Sequence, residues 1–264
     1  MNAYQKLITM QNKNNSYLCI GLDTVVEKLP THLRENKLEG ILEFNRQIIE
    51  KTKHLVSSYK INLAFYEQYG ADGFNLIKET MQMIPDEIFV ISDAKRGDIG
   101  NTSKAYATAC FDDLKSDAIT VNPYMGYDSI EPFLENKDKF VFILALTSNP
   151  GSNDFQRLFS AGKEIYKYVI EKSCEWAGKE NLGFVVGATH PHELADIRNI
   201  IPDRTLLIPG VGAQGGNVED VISSNKKGPF MINVSRDIIF RSNDYDFADK
   251  SAERALYYRD LFNK

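Results

Sequence analysis

The sequence predicts an α/β protein folded as a (β/α)8 TIM barrel, a single domain over residues 1–264. Three observations predict it. Short apolar, β-branched runs recur eight times, the stretches between them repeat apolar residues at helical spacing, and the 264 residues suit a fold that uses about 250. No Ser/Gly/Pro-rich linker interrupts the alternation, which favours one domain over two.

Taken in order, the leading "NAYQKLITMQ" reads as an extra helix placed to close the barrel bottom. The strands then follow as "YLCIGLD" (Tyr17–Asp23), "SYKINLAF" (Ser58–Phe65), "IFVISDAK" (Ile88–Lys95) and "DAITVNP" (Asp117–Pro123). The second four are "FVFILALTS" (Phe140–Ser148), "LGFVVGAT" (Leu182–Thr189), "TLLIPGVG" (Thr205–Gly212) and "PFMINVSR" (Pro229–Arg236). Between the first two, "LEGILEFNRQIIEKTKHLV" repeats Leu38, Ile41, Leu42, Ile48, Ile49 and Leu55 near helical spacing. Each connection reads in the same way as a crossover helix, eight in all.

Composition narrows the function. With 43% hydrophobic and 25% charged residues, the chain is globular with a sizeable core. A net charge of -5, spread over interspersed acids and bases, provides no broad basic surface for nucleic acid and no polybasic membrane anchor. Any anionic ligand must be held by a local site. The longest apolar run, Phe140–Leu146, falls far short of the about 20 residues of a membrane helix, and the polar N-terminus lacks a signal-peptide core. A cytoplasmic protein is expected. Cys19, Cys110 and Cys174 are isolated and without metal-like spacing, so they read as reduced, mostly buried thiols.

Barrel enzymes place their chemistry at the C-terminal strand ends. Here those ends are polar, carrying Asp23, Lys60 with Asn62, Asp93 with Lys95, Asn122, Thr147 with Ser148, Thr189 with His190, Gln214 beyond Gly212, and Ser235 with Arg236. Such charges cost free energy unless paired. Asp93 and Lys95, two apart, share one face of a regular strand with Cα atoms about 6.6 Å apart. Lys60 ends the preceding strand, and Asp98 follows on the loop. Alternating ammonium and carboxylate groups keep one another charged against desolvation. A fixed ammonium is a proton donor, and a fixed carboxylate repels a second one. Taken alone, "DAKRGD" also fits a solvated charged turn, its "RGD" has no secretory context, and Arg96 has no assigned role.

The second constellation is "PGVGAQGGN" (Pro209–Asn217), followed one strand later by Arg236. Its glycines let backbone amides approach an anion, Gln214 donates, and Arg236 supplies a charged fork suited to phosphate. Phosphate sites of barrels often form from the loops after strands seven and eight. "GVGAQG" also fits the dinucleotide pattern G-x-G-x-x-G, but it lies near the end of the chain instead of after the first strand. His190 and His192 in "THPHEL" are two apart, as metal ligands can be, although Pro191 and Glu193 at a helix start account for the stretch more simply. "TSNPGSNDFQ" (Thr147–Gln156) is a mobile lid or only a loop.

Together "GLD", "YKINLAFYEQYG", "DAKRGDI", "ALTSNPGS", "PGVGAQGG" and "SR" resemble the orotidine 5′-phosphate decarboxylase family over nearly the whole chain. The forms match a longer subgroup found in some bacteria and apicomplexan parasites. The resemblance implies a carboxy-lyase that converts orotidine 5′-monophosphate to UMP with no metal and no cofactor, the last step of pyrimidine synthesis. It implies that Lys95 protonates C6 of the pyrimidine and that Asp93 faces the departing CO2. Lys60 would tie the aspartates together and, with Asp23, bind ribose. Asp98, Ile99 and Thr102 would enter the site of a neighbouring subunit in a homodimer. Thr147 or Ser148 would contact the pyrimidine and Gln214 with Arg236 the phosphate, with Asn62, Asn122, Pro209, Gly212 and Ser235 completing the substrate-binding set. Two departures stand out: the histidine pair, and Asp237, an acid beside Arg236 expected to weaken phosphate affinity. Two other readings share the motif: a magnesium-dependent sugar-phosphate enzyme with D-x-K-x-x-D, and a silent nucleotide-binding barrel.

Overall fold

Every one of the eight apolar runs contributes a strand to one closed parallel barrel: β1 (Leu18–Gly21), β2 (Ser58–Asn62), β3 (Phe89–Arg96), β4 (Ala118–Val121), β5 (Phe140–Leu146), β6 (Leu182–Val186), β7 (Leu206–Pro209) and β8 (Phe230–Val234). This is a computed structural model that describes residues 1–189, 191–211, 217–225 and 228–263. Each strand pairs with its neighbours in sequence, and β1 closes on β8 with Leu18 opposite Ile232.

Strands buried on both faces must be apolar in both directions, which is why the runs lack clean alternation. Outward residues such as Ile20, Tyr59, Ile61, Ile143 and Ile232 pack beneath the helices. Inward residues divide by height. At the N-terminal end Cys19, Phe89, Ile91, Ala118, Phe140, Phe142, Val185, Leu207 and Met231 fill the barrel as one apolar cluster. Two residues further along the same inward rows stand Lys60, Asp93, Thr120 and Asn233, which are polar and border a cavity.

The helix Ala3–Asn14 closes the bottom as expected. Asn2 and Gln5 form a reciprocal capping box at its start. Ala3 and Leu7 join the inner cluster, and Lys6 pairs with Asp117 at 2.7 Å just ahead of β4. After β1 the helix Lys37–Thr52 buries Ile41, Ile48 and Ile49. Its Phe44 stacks on Phe247 of the C-terminal helix Phe247–Phe262, with ring centroids 4.9 Å apart.

The expectation of eight crossover helices fails between β4 and β5. That connection consists of 3-10 turns at Pro123–Met125 and Tyr127–Ser129 and a four-residue helix, Glu131–Leu134. Pro123 and Gly126, the latter at φ +91°, stop a longer helix from forming. The stretch after β5 is part helix too, at Ser152–Phe155, followed by a small hairpin (Phe159–Ser160 with Lys163–Glu164) and the helix Ile165–Cys174.

Candidate active site

The polar upper layer encloses a cavity of about 330 Å³ at the C-terminal mouth of the barrel. Its first wall is built from β1 to β4. Lys60 Nζ donates to Asp93 Oδ2 at 2.8 Å and lies 3.5 Å from Asp23 Oδ1, and Lys95 Nζ donates to Asp93 Oδ1 at 2.6 Å. Lys60 and Asp93 are 4% and 8% exposed, so their charges survive only by pairing. Burial by itself would raise the Asp93 carboxyl, but the charges of Lys60 and Lys95 and their hydrogen bonds overcome it and hold the group well below the usual carboxylate range. Burial likewise works against the Lys60 ammonium, and Asp23 and Asp93 outweigh it, so its pKa is raised. The result is a fixed row of alternating charge.

The two-residue spacing brings Asp93 and Lys95 together, but not through a regular strand. β3 pairs with β4 with Ser92 opposite Ile119 and then Arg96 opposite Val121, so four residues of β3 run against two of β4. Within this bulge Lys95 takes φ +48°, a left-handed conformation costly for a side chain with a Cβ. Thr120 on β4 holds it: its Oγ1 accepts the Lys95 N–H at 3.0 Å and donates to Asp93 Oδ1 at 2.9 Å. Sequence reading missed Thr120, a lone polar residue inside an apolar run. Asp23 is steadied from outside the barrel, where Thr24, Asn45, Tyr66 and Thr80 form a buried network and the Tyr66 hydroxyl donates to the Leu22 carbonyl.

The opposite wall comes from β7 and β8. Pro209, Gly210, Val211, Ser235, Arg236 and Asp237 border the cavity there, and Gly210 at φ +100° adopts a turn that favours glycine. Gly212 and Gln214 lie outside the described residues. Among the described residues the buried Ser235 Oγ has no hydrogen-bond partner, and no carboxylate pairs with Arg236. Asp237 is turned away from isolation by Arg254 and Tyr258, which both donate to its Oδ2. Gly21 on β1 is needed for this packing, since a Cβ there would meet Ser235 Cβ at 2.8 Å.

Between the walls, Asn62, Thr147 and Ser148 border the cavity as expected, joined by Asn149 and Asn233, which the sequence did not mark out. Gln156 grips Thr147 twice, accepting its N–H at 2.8 Å and donating to its hydroxyl at 2.9 Å. Gly187 leaves room for the Ser148 backbone, whose nitrogen would sit 2.8 Å from an added Cβ. Asn122 is exposed, outside the cavity lining, and accepts the Tyr124 N–H at 3.1 Å. Asp98, Ile99 and Thr102 are likewise absent from the cavity. Asp98 N–H donates to Ser103 Oγ at 3.1 Å, while Ile99 and Thr102 are exposed.

Arg96 acquires a structural role. It forms an ion pair with Glu67 and lies over the Tyr106 ring, 5.2 Å from its centroid. His190 lies outside the described residues, whereas His192 stands in the first turn of the helix Pro191–Ile200 beside Glu193, which pairs with Arg157 at 2.7 Å. Among the described residues no group of three or more His, Cys, Asp or Glu is placed to hold a metal ion, and no helix is long and apolar enough to cross a membrane.

Comparison with known proteins agrees with this architecture. The orotidine 5′-phosphate decarboxylase / HUMPS family pattern matches residues 16–249. The orotidine 5′-phosphate decarboxylase of Christiangramia forsetii is 49% identical over 256 residues, covering 95% of this chain and 94% of that protein. The solved structure of Leishmania donovani OMP decarboxylase superposes with a TM-score of 0.85 at 35% identity, covering 98% of this chain and 99% of the other. Leishmania donovani UMP synthase gives a TM-score of 0.86 at 37% identity over 98% of this chain, which spans only 57% of that longer protein. By sequence pattern and by extended identity, the chain belongs to the orotidine 5′-phosphate decarboxylase family.

Proposed function

We propose that this chain removes CO2 from orotidine 5′-monophosphate to give UMP, without a cofactor, as the carboxy-lyase of the last step of pyrimidine synthesis. The observation that carries the reading is the buried Asp93 carboxylate, kept ionised between two ammonium groups on one wall of a cavity. The facing wall supplies an arginine with no carboxylate partner among the described residues.

Loss of CO2 breaks a carbon–carbon bond and leaves its electron pair on C6, in the ring plane, where the ring π-system cannot spread it. Stabilisation must come from fixed charge already in place. Lys95 Nζ supplies that charge and then its proton to C6, completing the C–H bond, and solvent reprotonates the amine. Asp93 stands against the substrate carboxylate, which raises the ground state, and binding of the remote phosphate offsets that cost. Lys60 and Asp23 hold the row in register and meet the ribose, while Thr147 and Ser148 read the pyrimidine. Arg236 and the Ser235 hydroxyl, which has no hydrogen-bond partner among the described residues, take the phosphate, with Gln214.

Asp98, Ile99 and Thr102 have no place in their own cavity, and Ile99 is 57% exposed. In this reading they complete the cavity of a second copy, so the working unit is a homodimer with shared sites. The chain acts as one domain in the cytoplasm, a setting that suits its three unpaired thiols. The decisive assay follows the orotidine absorbance on mixing with the purified protein in a chelator. Turnover is expected, and Lys95→Ala abolishes it. Turnover that needs magnesium, or that survives Lys95→Ala, rejects the reading.

A further inference from the structure

Asp237 is the feature of the rim that decarboxylation leaves without a use. It borders the cavity beside Arg236, where an uncompensated carboxylate would repel the phosphoryl group that Arg236 attracts and would compete with it for the guanidinium. The structure shows where that charge goes. Asp237 Oδ2 accepts from Arg254 Nε at 2.7 Å and from the Tyr258 hydroxyl at 2.6 Å, and Arg241 Nη1 stands 3.7 Å from Oδ1.

Arg254 and Tyr258 lie one turn apart on the C-terminal helix Phe247–Phe262, so both reach the same carboxylate oxygen. The Arg254 guanidinium rests 4.5 Å from the Tyr257 ring centroid and 4.7 Å from that of Tyr258, contacts that fix it toward Asp237. Arg236, by contrast, has no acidic partner among the described residues. Three arginines surround this acid: Arg254 holds it at 2.7 Å, Arg241 stands at 3.7 Å, and Arg236, its neighbour in sequence, is not paired with it.

We propose that Arg254 is a positioning residue of the phosphate site: by neutralising Asp237 from the C-terminal helix, it leaves the charge of Arg236 available to the substrate phosphate. The proposal rests on the reading of Arg236 given above. It makes the phosphate site a product of the closing helix as well as of the loops after β7 and β8. It also removes the penalty that the sequence alone attaches to Asp237.

The test uses the full chain at low salt, with UMP affinity measured by calorimetry and kcat and KM measured for orotidine 5′-monophosphate. Arg254→Met is expected to raise the UMP Kd and the KM about tenfold, with kcat within about twofold. Arg254→Lys, which keeps the charge, is expected to recover most of the affinity. The double variant Asp237→Asn/Arg254→Met is expected within about threefold of the parent, because no carboxylate remains to be neutralised. A double variant as weak as Arg254→Met alone would make Arg254 a packing residue and overturn the proposal, as would an unchanged Kd in Arg254→Met. If Arg254→Met fails to fold, Asp237→Asn alone decides: unchanged or tighter UMP binding supports the proposal, and a tenfold loss overturns it. Arg236→Met separates the two levels, since an unchanged UMP affinity there rejects Arg236 as the phosphate ligand and the proposal with it.

Discussion

The two walls of the cavity solve opposite problems. On the β1 to β4 side every charge is already paired within the protein: Lys60 with Asp93 and Asp23, Lys95 with Asp93, and Thr120 bridging backbone and carboxylate. On the β7 and β8 side, among the described residues, Arg236 has no acidic partner and the Ser235 hydroxyl has no hydrogen-bond partner. A self-paired wall is rigid before substrate arrives, so it needs no reorganisation when charge develops on the ring. An unpaired wall is completed by the ligand. In the proposed reading, the difference gives chemistry to one side and anchoring to the other.

The comparison breaks most visibly at Asp93. Asp93→Asn removes the carboxylate shared by the buried Lys60 ammonium and the half-exposed Lys95 ammonium, and removing one partner of a buried pair such as Lys60–Asp93 costs about 3–5 kcal/mol. Denaturant unfolding should show that loss, and turnover should fall at least about a thousandfold. Mixing experiments come next. If Asp98 serves the other copy, Lys95→Ala and Asp98→Asn are each inactive, yet their re-equilibrated mixture regains about a quarter of parental turnover, since half the symmetric dimers are hybrids with one intact site. No recovery would place Asp98 in its own site or in none.

A smaller effect is expected at Thr120. Thr120→Val keeps the shape but removes the hydroxyl that spans the Lys95 N–H and Asp93, so kcat should fall about 10- to 100-fold with UMP affinity retained, and Thr120→Ser should restore it. The smallest effect concerns pH. Asp93 is held below its ordinary 3.8, so its contribution to stability is present above that value and lost only as pH falls through the depressed one. Lys60 is raised above its ordinary 10.5, so its contribution persists below that value and fades only as pH rises through the elevated one. Between pH 5 and 9 neither titrates, and thermal melts should show no transition step attributable to this pair.

The same contrast explains what the sequence revealed. Eight strands were legible because doubly buried parallel strands are written as continuous apolar runs, and Lys60, Asp93 and Lys95 stood out as charges at their ends. Thr120 and Asn233 were not, because a single polar letter inside such a run carries no sign of facing inward. The pairing of Asp93 with Lys95 was anticipated on the wrong geometry: a bulge and a left-handed Lys95, not strand alternation, aim the ammonium. Asp237 looked like a defect because Arg254 and Tyr258, which donate to it at 2.7 and 2.6 Å, lie 17 and 21 residues away on another helix. Arg96, unexplained as a letter, ties β3 to Glu67. Pairing across elements is a property of the fold, and local spacing is silent about it.

The division between the walls is tested most directly by measuring turnover and UMP affinity together in Lys95→Ala and Arg236→Met. Lys95→Ala should bind UMP within about tenfold of the parent and turn over nothing. Arg236→Met should lose about 100-fold in UMP affinity while retaining measurable kcat at saturation. Turnover by Lys95→Ala, or unimpaired UMP binding by Arg236→Met, would contradict the assignment of chemistry to one wall and anchoring to the other.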